Sequence, residues 1–286
     1  MRTAIVTTID ANYIEPAAVF FESFSENYHN HKELDIVCVM PEEDASAFNE
    51  LEAMMQLDKR LKLKARFVSP NEYKWTEEAA VGDRWAHSKA AWYRLLLGSI
   101  LHDYDKAIYF DPDVLIVDNV QPILDHPMYN KFMAVFDTVG VQYFYSKGRG
   151  DVGWMTSGML IIDLNWWREA GVEDWFKEDV AANGSDELID EYLLNKYLKP
   201  YWHPLPVTFN FYAFVKDEFG VPDFDQSYLP VYYKHSIVMH FAGRVKPWTF
   251  EKIVLKEDPS RLGKEWLRRR EIIRNRMEEN DSQTYS

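Results

Sequence analysis

The sequence predicts an α/β protein in which helices cover a mostly parallel central sheet. Two observations lead to this fold class: apolar runs of strand length alternate with helix-like segments, and no low-complexity linker or internal repeat interrupts the series. Such alternation is typical of strand–helix–strand units built on one sheet. Ligands of these proteins bind beyond the carboxyl ends of the strands. We therefore expect the functional residues directly after strands.

The predicted elements follow one another along the chain. Strands are expected at TAIVTTI, LDIVCVM, LKARFVSP, KAIYFD, KFMAVFD, SGMLIIDL and SIVMHFAG. Helices are expected near residues 15–27, 42–57, 84–101, 165–181 and 186–198. This reading assigns residues 1–248 to one domain.

A further helix is predicted in the tail, where apolar residues recur at roughly helical spacing with arginines between them: Leu262, Trp266, Ile273 and Met277. We interpret residues 249–286 as a helical extension packed on the domain. Peripheral contact with a membrane surface, or with a partner, is the alternative for this basic helix.

Composition excludes several classes of protein. The formal net charge of −14 argues against non-specific nucleic-acid binding, which needs basic residues to displace counterions. Cys38 is the single cysteine, so the sequence has neither an internal disulfide nor a cysteine-based zinc site. No apolar run has the length of a membrane span, and the N-terminus lacks a signal-peptide pattern. We expect a soluble, cytoplasmic protein.

The segment DKAIYFDPDVLIVDN, residues 105–119, interrupts an apolar run with Asp-Pro-Asp. Residues two apart in an extended chain project to the same side, so Asp111 and Asp113 can converge. Pro112 removes a backbone donor and marks the end of sheet pairing. Two close carboxylates repel each other unless a cation or proton intervenes, and their oxygens suit Mg²⁺ or Mn²⁺. A polar loop after a strand is the alternative.

A second polar cluster lies in IVMHFAGRVKPW, residues 237–248. His240 ends the apolar strand and could offer an imidazole to the same metal. Gly243 would let the backbone approach a phosphate closely, and Lys246 would supply a positive charge to it.

Together these segments resemble the retaining glycosyltransferases of family eight, which include glycogenin and bacterial lipopolysaccharide galactosyl- and glucosyltransferases. The resemblance covers most of residues 1–248 and is most specific in SKAAWYRLLLGSIL, YDKAIYFDPDVLIVDNVQPI, TSGMLIIDLNWWRE, DEYLLN and HFAGRVKPW. It implies a single GT-A domain with a Rossmann-like sheet. It also implies that a hexose moves from UDP-glucose or UDP-galactose to a hydroxyl of a glycan, lipid-linked or protein acceptor.

The resemblance assigns a role to each matching residue. Asp111, Asp113 and His240 would bind Mn²⁺ or Mg²⁺, and Gly243 and Lys246 would contact the diphosphate. The other donor contacts would come from residues spread along the chain: Thr8, Asp10, Asn12 and Tyr13 at the nucleoside, Pro112 between the acidic pair, and Asp137, Thr156, Ser157 and Gly158 at the sugar.

Lys89 and Arg94 both fall in the helix whose family counterparts touch the donor. Five residues of α-helix turn them roughly 140° apart, so they cannot both point at one phosphate. Arg94 is favoured, because its guanidinium can grip phosphate or hydroxyl with a fork.

The catalytic assignments are Asp190, Glu191, Lys246 and Arg94. Glu191 stands where the family usually has glutamine, and Thr156 where it commonly has asparagine. Glu191 could act as a nucleophile or stabilise positive charge at the anomeric carbon, and we favour front-face transfer with the second role.

Two other functions fit parts of the sequence. A phosphohydrolase of the haloacid-dehalogenase type also has a strand ending in D-x-D. A non-catalytic nucleotide-sugar or glycan-binding module would be consistent with Thr156 and Glu191, the two positions that depart from the family pattern. The acceptor would be selected by loops such as 140–155 and 210–230.

Overall fold

A computed structural model describes residues 1–69, 74–75, 89–137, 153–183, 189–212, 231, 234–242, 246–249, 251 and 262–284. Within these ranges ten strands are present: β1 (Thr3–Thr8), β2 (Leu34–Pro41), β3 (Leu61–Val68), β4 (Lys106–Phe110), β5 (Val114–Ile116), β6 (Phe132–Phe136), β7 (Met155–Asp163), β8 (Trp202–Leu205), β9 (Phe211–Tyr212) and β10 (Val238–His240). The α-helices are α1 (Ile14–Glu26), α2 (Ala45–Met54), α3 (Leu97–Ile100), α4 (Gln121–Leu124), α5 (Leu164–Glu169), α6 (Val172–Asn183), α7 (Ile189–Leu198) and α8 (Leu262–Thr284).

Seven strands form the central sheet in the order β3-β2-β1-β4-β7-β6-β8. Four of its neighbouring pairs are parallel, and only β7 runs antiparallel to both of its neighbours. The predicted fold class, α/β with a mostly parallel sheet, is confirmed. Because β1 and β4 are parallel neighbours, their carboxyl ends meet at one edge of the sheet.

The inner strands of the sheet, such as β1, β4 and β7, are buried on both faces because they are apolar in most positions, whereas the edge strand β3 carries Lys62, Lys64 and Arg66. In β1, Ile5 contributes to a core beneath α1 and α2, while Ala4 and Val6 contribute to the opposite core beneath α3 and α5–α7. Alternation of side chains across the strand produces this division.

The last predicted strand, in SIVMHFAG, does not join the central sheet. It forms β10 of a small second sheet with the order β5-β10-β9. His240 is paired with Val114 on one side and with Tyr212 on the other. The chain therefore leaves the central sheet after β4 and enters the small sheet at β5, and Asp-Pro-Asp is the joint between them.

Two predicted helices differ from the structure. The segment predicted near 165–181 is divided into α5 and α6, because Gly171 has a left-handed φ of 66° that ends the first helix. The described part of the segment near 84–101 is a 3₁₀-helix, Lys89–Leu96, followed by the single turn of α3. Three residues per turn place Arg94 above Ala91, whose carbonyl accepts a hydrogen bond from Arg94 Nε at 2.9 Å.

The tail helix α8 packs on α1 and α2. Trp266 and Ile273 are fully buried, and the ring centroid of Trp266 lies 5.0 Å from that of Trp248. Its arginines are paired with carboxylates of the same chain: Arg268 with Glu265, Arg269 with Glu26, Arg270 with Glu251, Arg274 with Glu15 and Arg276 with Glu22. These contacts agree with the packed interpretation of the helix, while the domain boundary at residue 248 stays a prediction.

None of the helices in the described ranges combines the length and the apolarity that crossing a membrane requires.

We expect Trp266→Ala to lower the free energy of unfolding by about 3–5 kcal/mol, because it leaves a large cavity between α8 and the core. Urea denaturation followed by circular dichroism measures the change. Ile272→Ala is the matched control, because Ile272 lies on the same helix with 43% of its surface exposed. Equal unfolding midpoints for the two variants would show that α8 is not part of the cooperative core.

Candidate active site

The acidic pair and the distant histidine meet at the seam between the two sheets. Asp111 follows β4, Asp113 precedes β5, and His240 ends β10. His240 Nε2 lies 3.1 Å from Asp113 Oδ1 and 3.6 Å from Asp111 Oδ2. One ligand atom from each residue falls within 4.8 Å of the other two. The structure thus brings together the three predicted metal ligands.

The residues at this point fit a divalent cation. Asp113 and His240 are buried, and His240 Nε2 is a polar neighbour of Asp113 Oδ1. Buried polar atoms are usually paired, so two carboxylates and an imidazole that converge on one buried point mark a place for an ion. Two carboxylate oxygens and one imidazole nitrogen are ligands that Mn²⁺ accepts.

Lys246 supplies positive charge at the same place. Its ammonium pairs with Asp113 Oδ2 and donates to the Phe241 carbonyl at 2.6 Å. Burial would raise the pKa of Asp113, but the charges of Lys246 and His240 outweigh it and hold that pKa well below its usual range. Contact between Lys246 and a donor phosphate stays a prediction.

Arg94 connects Asp111 to Asp190 on α7 and to Ser157 on β7. Its guanidinium lies 2.8 Å from Asp111 Oδ1 and 3.1 Å from Asp190 Oδ2, and it donates to the Ser157 carbonyl at 3.0 Å. Burial would lower the pKa of Arg94, but the carboxylate of Asp111 more than offsets it and the pKa is raised. The predicted contact of Arg94 with the donor is untested, and the side chain of Lys89 lies outside the described residues.

Tyr109 connects β1 to the acidic pair from below. Its hydroxyl is 2.7 Å from Asp111 Oδ1 and 3.1 Å from Thr8 Oγ1. A carboxylate only accepts, so Tyr109 donates to Asp111 and Thr8 donates to Tyr109. Thr8, predicted as a nucleoside contact, is buried and is used in this relay.

The other predicted nucleoside contacts lie on the 3₁₀-helix Ala11–Tyr13, just after β1. Asp10 caps this helix by accepting from Asn12 N at 2.8 Å, and the Asn12 side chain is exposed. Tyr13 is half-buried and meets Trp248 edge-on with ring centroids 6.0 Å apart. Burial, together with the charges of Asp113, Asp111 and Asp10, raises the pKa of Tyr13.

Glu191 faces the start of β7 from α7. Its Oε1 accepts from Trp154 Nε1 at 2.7 Å, and its Oε2 accepts from Ser157 N at 3.0 Å and Ser157 Oγ at 3.3 Å. Burial, together with the charge of Asp137, raises the pKa of Glu191 to about 8. Asp137 is itself buried at the end of β6.

Thr156 and Gly158 occupy the same stretch of β7. Thr156 Oγ1 accepts from the Tyr212 hydroxyl at 3.0 Å. Gly158 leaves room for the imidazole: a Cβ at this position would lie 2.4 Å from His240 Cε1. Pro112 is buried between the two carboxylates, whereas Gly243 and most of the loops 140–155 and 210–230 lie outside the described residues.

Sequence reasoning missed several residues that build this site: Tyr109, Trp154, Asn195, Asn210 and Tyr212. Asn195, the last residue of DEYLLN, pairs both ends of its amide with Met155, accepting from N at 2.8 Å and donating to O at 2.9 Å. It fastens α7 to β7. Tyr109 could have been predicted from the sequence, because it lies two residues before Asp111 and residues two apart on a strand project to the same side.

Gly158→Ala is expected to weaken Mn²⁺ binding about tenfold or more, because the new methyl group must displace His240. Calorimetric titration with Mn²⁺ measures the change. Gly98→Ala is the matched control: its Cβ would be equally crowded, 2.5 Å from Trp167 Cδ1, but outside the site. The control should lose stability and keep its affinity, and equal affinity in both variants would contradict the geometry.

The stability of the protein should depend on the ionisation of Glu191. The pKa of this carboxyl rises from 4.5 to about 8 on folding, so the folded protein keeps a proton that the unfolded chain releases. Its contribution to stability therefore falls as pH rises from 4.5 to 8, by at most about 1.4 kcal/mol per pH unit.

Glu191→Gln should remove this pH dependence, and chemical denaturation between pH 5 and 8 measures it. Glu169→Gln, at an exposed position, is the control and should behave as the unmodified protein does. A difference between wild type and Glu191→Gln that stays constant across this range would contradict the raised pKa.

Comparison with known proteins identifies the family and the fold of this chain. A model described as Glycosyl transferase family 8 matches residues 4–252. The structure is similar to that of the galactosyltransferase LgtC in complex with donor and acceptor sugar analogs, with 21% identity, a TM-score of 0.69, and coverage of 93% of this chain and 95% of that one. An active-site glutamine-to-glutamate mutant of LgtC gives 22% identity, a TM-score of 0.70, and coverage of 92% and 95%.

The apo structure of the bifunctional glycosyltransferase WbbM is similar as well, with 18% identity and a TM-score of 0.69. The match covers 94% of this chain and 51% of WbbM, so this chain spans about half the length of that protein. No curated protein matches the chain. The structural likenesses show the shared fold, and the match over residues 4–252 shows the family. The chain belongs to glycosyl transferase family 8.

Proposed function

We propose that the protein is a metal-dependent, retaining hexosyltransferase that moves glucose or galactose from a UDP-sugar to an acceptor hydroxyl. The observation that carries this proposal is the convergence of Asp111, Asp113 and His240 within 4.8 Å, beyond the carboxyl end of β4. In α/β sheets this edge is where ligands bind. Family membership leaves the haloacid-dehalogenase alternative without support.

Asp111, Asp113 and His240 would hold Mn²⁺ or Mg²⁺. When bound, the cation would neutralise negative charge on the departing nucleoside diphosphate. Arg94 and the hydroxyl of Tyr109 both contact Asp111 Oδ1, at 2.8 Å and 2.7 Å, and so fix the orientation of this carboxylate and leave Oδ2 directed at His240. Lys246 adds a second positive charge beside Asp113. Preorganised charge of this kind stabilises a transition state without reorganisation during the reaction.

The sugar would lie against the carboxylates of Asp137, Asp190 and Glu191. Both oxygens of Glu191 accept hydrogen bonds from Trp154 and Ser157, which hold the carboxyl group in place. This restraint supports a stabilising role over nucleophilic attack. Positive charge that develops at the anomeric carbon would favour the ionised form of Glu191. The acceptor hydroxyl then attacks from the leaving-group side and loses its proton to the phosphate.

The binding partners follow from the same site. We propose UDP-glucose or UDP-galactose as donor, with the uridine near Thr8, Asp10, Asn12 and Tyr13. Relatives include a galactosyltransferase solved with donor and acceptor sugar analogs, which supports a nucleotide-sugar donor and a sugar-containing acceptor. A glycan, a lipid-linked sugar or a protein could present the acceptor hydroxyl, and the reaction would take place in the cytoplasm.

The decisive experiment measures UDP release from UDP-glucose and UDP-galactose, with and without Mn²⁺. Asp113→Asn should lower kcat/KM by about 10²–10³-fold, because it weakens the charge that holds the cation. Asp118→Asn, five residues further along at an exposed position, is the matched control and should have no effect. Retention is checked by the anomeric configuration of the product in its NMR spectrum.

Failure of both donors to bind or turn over would contradict the proposed donor. Binding of a UDP-sugar without any release of UDP, in the presence of Mn²⁺ and a panel of acceptors, would instead favour the non-catalytic binding module.

A further inference from the structure

Asn210 is a buried amide beside the candidate metal site. It follows the 3₁₀-helix Val207–Phe209 and directly precedes β9, and only 3% of its surface is exposed. Neither Oδ1 nor Nδ2 has a hydrogen-bond partner within the described part of the chain. An unpaired buried amide is costly, so a polar group that pairs with it under working conditions is expected.

The imidazole of His240 also has an atom for which the described ranges offer no hydrogen-bond partner, on the side that faces away from the carboxylates. Nε2 points to Asp113 and Asp111, whereas Nδ1 is buried and has no partner among the described residues. Nδ1 of His240 and Nδ2 of Asn210 surround a single point, the Cβ position that Gly158 lacks, at 2.5 Å and 3.1 Å. Both groups therefore border the space that the missing side chain of Gly158 leaves, although no hydrogen bond joins these two described residues.

Binding of a metal by His240 would require a hydrogen-bond acceptor near its other ring nitrogen, Nδ1. An imidazole that binds a cation through Nε2 carries its proton on Nδ1, and that N–H is almost always donated to an oxygen acceptor that fixes the ring. The two ends of a primary amide have nearly the same shape, so turning the amide over places Oδ1 where Nδ2 now lies. Oδ1 would then border the same space as His240 Nδ1, and a small shift of either side chain into this space would let it accept the Nδ1 proton.

We propose that Asn210 is a positioning residue for His240: its carbonyl oxygen accepts the Nδ1 proton and leaves the Nε2 lone pair directed at the cation. The inference rests on the proposed metal-dependent function. The ring of Tyr212, whose centroid is 5.6 Å from that of His240, covers another side of the imidazole, so the ring is enclosed by Tyr212, Gly158 and the carboxylates.

The test measures Mn²⁺ affinity by electron paramagnetic resonance without donor or acceptor. Asn210→Leu, which keeps the shape and removes the acceptor, should bind Mn²⁺ about 10–100-fold more weakly. Asn210→Asp keeps an acceptor and should remain within a few fold of wild type. In a His240→Ala background, Asn210→Leu should cause no further loss, because its effect passes through the imidazole.

A purely structural role makes the opposite stability prediction. Without metal, Asn210→Leu should be at least as stable as wild type, because it removes an unpaired buried amide. Asn195→Leu is the matched control, since that buried amide is fully paired with Met155 and Glu191, and this variant should be less stable.

The outcomes separate this inference from the proposed function. If wild type binds Mn²⁺ and Asn210→Leu binds it equally well, or if the loss persists in the His240→Ala background, the inference is wrong. If wild type does not bind Mn²⁺, the proposed metal-dependent function is wrong. Should Asn210→Leu fail to fold, Asn210→Ala decides, because it also removes the acceptor, and an unchanged Mn²⁺ affinity in that variant would overturn the inference.

Discussion

The structure of the site depends on balancing negative charge that is concentrated in a mostly buried place. Asp111 and Asp113 are two residues apart in the chain. Asp190 contacts the guanidinium of Arg94, which also contacts Asp111. In a medium of low dielectric constant these carboxylates repel each other strongly unless cations lie between them. Arg94 lies between Asp111 and Asp190 and offsets part of their charge, while Lys246 pairs with Asp113. Because the cations come from distant parts of the chain, the charge balance also fixes how those parts meet.

Topology explains why the acidic pair stands where it does. The chain leaves the central sheet after β4 and enters the small sheet at β5, so the three residues between these strands belong to neither sheet. Pro112 has no N–H to leave unpaired there, and the Asp111 N–H is satisfied by the Gly158 carbonyl at 2.9 Å. Across the joint, the antiparallel pairing of β10 with β5 sets His240 opposite Val114. A single register thereby brings the histidine to the carboxylates.

Features that depend on local pattern were predictable from the sequence, and features that depend on distant contacts were not. Strands, the packed tail helix and the meeting of Asp111 with Asp113 follow from periodicity. Membership of β10 in a separate sheet depends on β9, which has only two residues and leaves no periodic signal. The break between α5 and α6 depends on the φ angle of Gly171. Likewise, the burial of Asn210 and the hold of Arg94 on Asp190 are tertiary facts.

The two departures from the family pattern bear on whether the site is intact. Thr156, in place of the usual asparagine, receives a hydrogen bond from Tyr212, and Glu191, in place of the usual glutamine, receives hydrogen bonds from Trp154 and Ser157. Each of the two side chains therefore has a defined hydrogen-bond partner within the candidate site. Ser157, which donates to Glu191, also accepts a hydrogen bond from Arg94 at its carbonyl, and Arg94 contacts Asp111. Glu191 is thereby connected to the candidate metal ligands through Ser157 and Arg94.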